Sequence, residues 1–177
     1  MKSLFLVLLC ALCTCLQAQT LPKGMYLEGS LHFGKALKHR SIITIDFPDF
    51  SYGGELNFEV KTYGKKHWHQ RCGFPRWGVA VAYQYSGNAE EMGHCFAILP
   101  NVTVDFFKRK KIRIFGRLGV GLEVITKPFN RKNNPLNNMV SSYLNNNTSL
   151  RLGLAWRVHK NLEIRPSVAF NHYSNAA

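Results

Sequence analysis

The stretch Ile112-Arg113-Ile114-Phe115-Gly116-Arg117-Leu118-Gly119-Val120-Gly121-Leu122-Glu123-Val124 changes character at every step. Apart from Gly116 its even positions are aliphatic, whereas its odd positions carry Arg113, Phe115, Arg117, Gly119, Gly121 and Glu123. A period of two belongs to an extended strand, because successive side chains there point to opposite faces. Glycines inside the run argue further against a helix.

The same alternation recurs on both sides of this segment. Leu150, Leu152, Leu154, Trp156 and Val158 oppose Ser149, Arg151, Gly153, Ala155 and Arg157, and Leu162, Ile164, Val168 and Phe170 oppose Glu163, Arg165, Ser167 and Asn171. Upstream, Trp77, Val79, Val81, Tyr83 and Tyr85 face away from Gly78, Ala80, Ala82 and Gln84, while Phe96, Ile98, Val102, Val104 and Phe106 oppose Asn101, Thr103 and Asp105. Weaker runs at Met25 to Lys35 and Tyr52 to Thr62 bring the set to about seven strands.

A soluble sandwich also alternates, so the chemistry of the second face decides. Here it holds Glu55, Glu59, Arg113, Arg117, Glu123, Arg151, Arg157, Glu163 and Arg165, a poor core for a soluble barrel. A transmembrane barrel inverts the pattern, with apolar residues towards lipid and polar residues inward. Strands of roughly ten residues suffice to cross a bilayer when tilted, and Trp77, Tyr83, Tyr85, Trp156 and Phe170 lie near strand ends, where interfacial girdles form. The expected class is therefore all-β, a transmembrane antiparallel β-barrel. The inward arginines and glutamates read as a packed ionic lumen rather than a conducting pore.

Residues 1–18 read as a signal peptide: Lys2 precedes an apolar run from Leu4 to Leu16 that closes on Gln17-Ala18. The remaining chain, 19–177, is expected to form one barrel domain. No later stretch is apolar for long enough to be a spanning helix. Cys10, Cys13 and Cys15 belong to the signal, leaving Cys72 and Cys95, which the strand order puts towards opposite ends of the barrel and which are expected not to pair. The net charge of +13, of which Lys2 contributes one, calls for an anionic partner. For an exported chain, lipopolysaccharide phosphate is a better candidate than nucleic acid for the basic stretches Lys61 to Arg76, Lys108 to Arg113 and Lys127 to Lys132, although solvated basic loops would look the same.

Outer-membrane barrels have short periplasmic turns and longer outer loops. His159-Lys160 and Phe107 to Lys111 are short, whereas Thr126 to Thr148 is long, with Leu136, Met139, Val140, Tyr143 and Leu144 at helical spacing that predicts a small amphipathic helix over the rim. By this rule the strand from Leu162 rises outward and ends at Asn171 to Asn175. Tyr63 to Pro75 is long for a periplasmic turn.

That end reads Phe170-Asn171-His172-Tyr173-Ser174-Asn175. His172 and Ser174 share the lipid-facing parity, about 6.6 Å apart along a strand, a gap an imidazole spans by leaning. His172 is then placed to take the hydroxyl proton of Ser174. The bland alternative is a polar pair in the headgroup zone, since His-x-Ser is a weak motif by itself.

The hexapeptide resembles the active-site strand of the lipid A 3-O-deacylase family, known as PagL, with looser support from the preceding strands and from Asn-Pro-Leu-Asn-Asn in the long loop. The resemblance implies an eight-stranded barrel in the outer membrane of a Gram-negative bacterium. It implies hydrolysis of the acyl ester at position 3 of lipid A by a Ser-His-Glu triad on the outer surface. Ser174 would be the nucleophile, His172 the base and Asn175 a support for the oxyanion; no cofactor or metal is implied. The family's glutamate lies downstream of the Ser-Asn pair, so the triad acid is absent from this chain, as is an eighth strand, and the chain is expected to be incomplete at its C-terminus. Glu90, Glu91 and Asp105 are poor substitutes for the acid.

Other constellations point less far. His67, His69 and Cys72 have zinc-ligand chemistry but loose spacing, and read better as an aromatic, basic interfacial turn. His94-Cys95 reads as an ordinary thiol beside a histidine. Gly119-Val120-Gly121 precedes no helix and is no phosphate loop; it leaves room in a narrow barrel. Besides the esterase, two other functions fit the pattern: a non-catalytic barrel binding lipopolysaccharide or surface partners, and a soluble lipid carrier, which the charged inner face disfavours.

Overall fold

A computed structural model describes residues 22–37, 43, 45, 50–107 and 111–174. The signal segment and Asn175 lie outside the described residues. The elements are β1 (Met25–Gly34), β2 (Ser51–Lys61), α1 (His67–Arg71), β3 (Arg76–Tyr85), β4 (Cys95–Phe106), β5 (Ile112–Ile125), β6 (Leu144–His159), β7 (Leu162–Ile164) and β8 (Ser167–Ser174). Each strand pairs antiparallel with the one before it, except that β7 and β8 both pair with β6.

β7 and β8 are two parts of one strand. Trp156 pairs with Ile164 and Gly153 with Ser167, a single register that continues past the break at Arg165-Pro166. Pro166 has no N–H to offer the ladder, yet its carbonyl still accepts from Leu154 N at 3.0 Å. The fold is thus an all-β, transmembrane antiparallel barrel with seven strand positions among the described residues, as the alternation indicates. β1 and β7/β8 are its two edges, and a cleft of about 1690 Å³ runs between them.

Outward faces are apolar: Leu27, Leu31, Leu56, Phe58, Val81, Ile98, Leu118, Leu122, Leu152 and Val168 are all exposed. Inward faces are charged and buried, the reverse of a soluble protein and the arrangement lipid requires. Glu28, Glu55, Glu59, Asp105 and Glu163 meet Arg76, Arg113, Arg117, Arg151 and Arg165 in one connected network. Arg76 Nε lies 2.8 Å from Glu59 Oε2 and its Nη1 2.9 Å from Asp105 Oδ2; Arg113 Nη2 lies 2.7 Å from Glu163 Oε2. Arg117 and Arg151 share Glu55, the latter at 3.0 Å. Arg165 Nη1 reaches Glu28 Oε2 at 2.7 Å and Arg151 Nη1 reaches Glu28 Oε1 at 3.4 Å, so the ionic lumen ties together edge strands that share no ladder. Buried charges persist only when paired in this way.

Small residues let the wall approach itself. A Cβ on Gly121 would sit 2.0 Å from the carbonyl oxygen of Ile98. Here the β4–β5 register skips from Ile98↔Leu122 to Asn101↔Gly119, around Pro100.

The strand ends joined through 107–111, Lys160-Asn161 and 62–75 lie at one barrel end, and those joined through 35–50, 86–94 and 126–143 lie at the other. The hairpin turn falls on Lys160 and Asn161, one residue later than expected. The long 62–75 connection is folded rather than loose, with α1 inside it and Thr62 Oγ1 donating to Pro75 O at 2.8 Å. The amphipathic helix expected between Thr126 and Thr148 is not formed: β6 begins at Leu144 and the connection before it is irregular. Asparagine side chains satisfy its backbone instead. Asn130 Oδ1 accepts from Lys132 N and Asn133 N, and Asn137 Oδ1 from Val140 N. The apolar spacing that mimics a helix serves a small cluster in which Val140 and Met139 pack with Ile43, Ile45, Met92, Cys95 and Ile125.

Candidate active site

β8 ends among the long connections, and its parity follows from its inward anchors. Tyr173 points into the barrel, where its hydroxyl donates to Gln84 Oε1 of β3. Residues on either side of an inward side chain point outward, so His172 and Ser174 are exposed on the face that also carries Val168 and Phe170. The structure thus places both predicted residues together on the outer surface of one strand.

Their neighbours on β6 complete the site. Thr148 pairs with His172 and Asn146 with Ser174. Both are half-buried and share the outward parity, whereas Asn145 and Asn147, on either side of Asn146, are buried; Asn147 Nδ2 donates to Glu123 Oε2 at 2.8 Å. Across the outward positions of the described strands, leaving aside Tyr, Trp and His159, which pairs with Leu162 beside the turn at the opposite end of the barrel, hydrogen-bonding side chains occur at these four positions: Asn146, Thr148, His172 and Ser174. At the same height on β5, the residues paired with Thr148, Asn146 and Leu144 are Val120, Leu122 and Val124. The polar patch is confined to the β6–β8 ladder.

Sequence reasoning missed Asn146 and Thr148 because it assigned them to the loop before β6. Parity was the available signal: extending the even positions of that strand upstream from Leu150 leads directly to them.

Asp105 is removed from this site, at the opposite end of the barrel and inside it, paired with Arg76 and with Arg113 Nε at 3.2 Å. Glu91 belongs to the connection between β3 and β4, where its carboxylate accepts from Asn88 Nδ2 at 3.0 Å, and Glu90 precedes it in the same connection. Among the described residues no strand-borne carboxylate shares the face of His172 and Ser174.

His94 and Cys95 diverge. His94 Nδ1 meets the Tyr83 hydroxyl at 3.0 Å, whereas Cys95 is buried in the apolar cluster. His69 Nδ1 accepts from Lys66 N at 3.4 Å and its ring lies edge-on to Trp68, with centroids 4.3 Å apart. Among the described residues no three His, Cys, Asp or Glu side chains gather as a metal would require. Cys72 is exposed at the short-turn end, and both Cys72 and Cys95 are free thiols.

Comparison with curated proteins and with solved structures finds no match. The family model described as lipid A 3-O-deacylase (PagL) matches residues 52–177, from β2 through the His172–Ser174 strand, and the chain belongs to that family.

Proposed function

We propose that this protein is an outer-membrane serine esterase that removes the acyl chain ester-linked at position 3 of lipid A. In this reading residues 1–18 are removed on export and 19–177 form the barrel domain. The end bearing 35–50, 86–94 and 126–143 faces outward, beside the leaflet that holds lipopolysaccharide.

The observation that carries the reading is the position of His172 and Ser174, with Asn146 and Thr148 beside them, on a face whose surrounding strands are apolar. Polar side chains are costly where hydrocarbon is the solvent, and their task is explained if the substrate is itself a lipid lying against the wall. His172 takes the Ser174 hydroxyl proton as Oγ attacks the ester carbonyl. The tetrahedral intermediate then collapses, the bond to the sugar oxygen breaks, and that oxygen leaves with the proton from His172. Water, deprotonated by the same imidazole, releases the fatty acid from Ser174. Asn175, next to the nucleophile, is the residue that the resemblance implies as support for the oxyanion. Lys127, Arg131 and Lys132, exposed at the same end, suit the phosphates of the headgroup.

Mass spectrometry of lipid A from cells producing the wild type or Ser174→Ala tests the proposal. The expected result is loss of one ester-linked acyl chain with the wild type only. Identical lipid A from both strains would leave a non-catalytic barrel as the better reading.

A further inference from the structure

We infer that Asn146 is a catalytic residue of the same site, its side-chain amide donating a hydrogen bond to the oxyanion that forms when Ser174 attacks an ester. This rests on the esterase reading above and extends it to a second strand.

Asn146 stands directly opposite Ser174 in the β6–β8 ladder, and both point outward. Opposed side chains on one face of an antiparallel pair have Cβ atoms about 4.5–5.5 Å apart. A carbonyl carbon bonded to Ser174 Oγ therefore carries its oxygen into the reach of the Asn146 Nδ2–H group. An oxyanion hole needs donors aimed at that oxygen, and asparagine side chains serve this purpose in a site from which water is excluded.

Position argues against a bland explanation. If Asn146 were polar only because it lies among headgroups, its neighbours at that height would be polar too. They are Leu122 on β5 and, one ladder further, Ile98 on β4. The inward asparagines on either side, Asn145 and Asn147, are accounted for by interior hydrogen bonds: Asn145 Nδ2 donates to Ser142 O at 2.8 Å, and Asn147 to Glu123. Asn146 faces the other way, on the outward side it shares with Ser174. Thr148, opposite His172, closes the fourth corner of the patch.

The test uses the full chain refolded into detergent micelles, with purified lipid A as substrate and Asn146→Leu as the variant. Leucine suits a lipid-facing position, so folding, read from heat-modifiable gel mobility, is expected to be retained. The expected result is a fall in kcat of about 10²–10³-fold with KM little changed, the signature of a lost oxyanion donor. Asn146→Asp, which keeps the shape but replaces the donor with a carboxylate oxygen, is expected to fall at least as far and serves if the leucine variant does not fold. Wild-type kcat in either folded variant, with Ser174→Ala inactive, overturns the inference and leaves the esterase standing. Hydrolysis that is absent or indifferent to Ser174→Ala overturns the esterase reading, and the inference with it.

Discussion

The Tyr173 hydroxyl donates to Gln84 across the barrel interior, and this inward anchor sits between the two residues, His172 and Ser174, that face out. A strand with one face in lipid and one in a polar lumen has its register set by such contacts, because slipping by one residue would reverse every side chain. Tyr173→Phe removes the hydrogen bond and strands Gln84, which costs about 1–3 kcal/mol. A lower urea midpoint for unfolding from micelles is expected, with lipid A deacylation reduced far less than by Ser174→Ala.

His172→Ala is expected to lower deacylation by on the order of 10⁶-fold, as loss of the base does in Ser-His sites, while the barrel folds as before because the position is exposed. Product formation by mass spectrometry measures it. Activity within tenfold of wild type would remove His172 from the mechanism.

Glu28 is shared by Arg117, Arg151 and Arg165. Glu28→Gln leaves three buried guanidinium groups short of charge and is expected to destabilise the barrel by about 3–5 kcal/mol. The same change at exposed Glu90 is expected to cost under 1 kcal/mol. Denaturant titration of the two variants side by side checks the contrast; equal midpoints would mean that the lumen network adds nothing to stability.

The asparagines of the 126–143 connection clamp it to its neighbour. Asn134 Nδ2 and Asn137 Nδ2 both donate to Glu91 O, at 2.8 and 3.1 Å, and Asn137 Nδ2 also donates to Lys127 O at 2.7 Å. Asn137 is fully buried. Asn137→Ala should therefore loosen both connections, and limited proteolysis is expected to cut near Lys127 or Arg131 in the variant while the wild type resists.

The two thiols should differ in reactivity. In protein prepared without residues 1–18, which carry Cys10, Cys13 and Cys15, a maleimide reagent is expected to label exposed Cys72 in the folded state and Cys95 only after unfolding, with one adduct before denaturation and two after it by intact mass. Two adducts on the folded chain would show that the apolar cluster around Cys95 opens.

Much of this molecule was legible in single residues read two apart. Alternation along Ile112 to Val124 and its neighbours determined the strands, and the charges on one face determined which side meets lipid, because no soluble core tolerates so many ionised groups. Parity also put His172 and Ser174 on one surface. Other features depended on contacts distant in the chain. The apolar spacing around Leu136 to Leu144 has a helical period, yet asparagines bonded to another loop hold that segment in an irregular path. No local pattern could reveal that Glu28 reaches Arg165, or that the β7–β8 break at Pro166 preserves register. The pairing of Asn146 with Ser174 is of the same kind. A sequence dictates which face a strand residue occupies, since that is a property of one backbone; which residue stands opposite is decided only when two strands settle into a ladder.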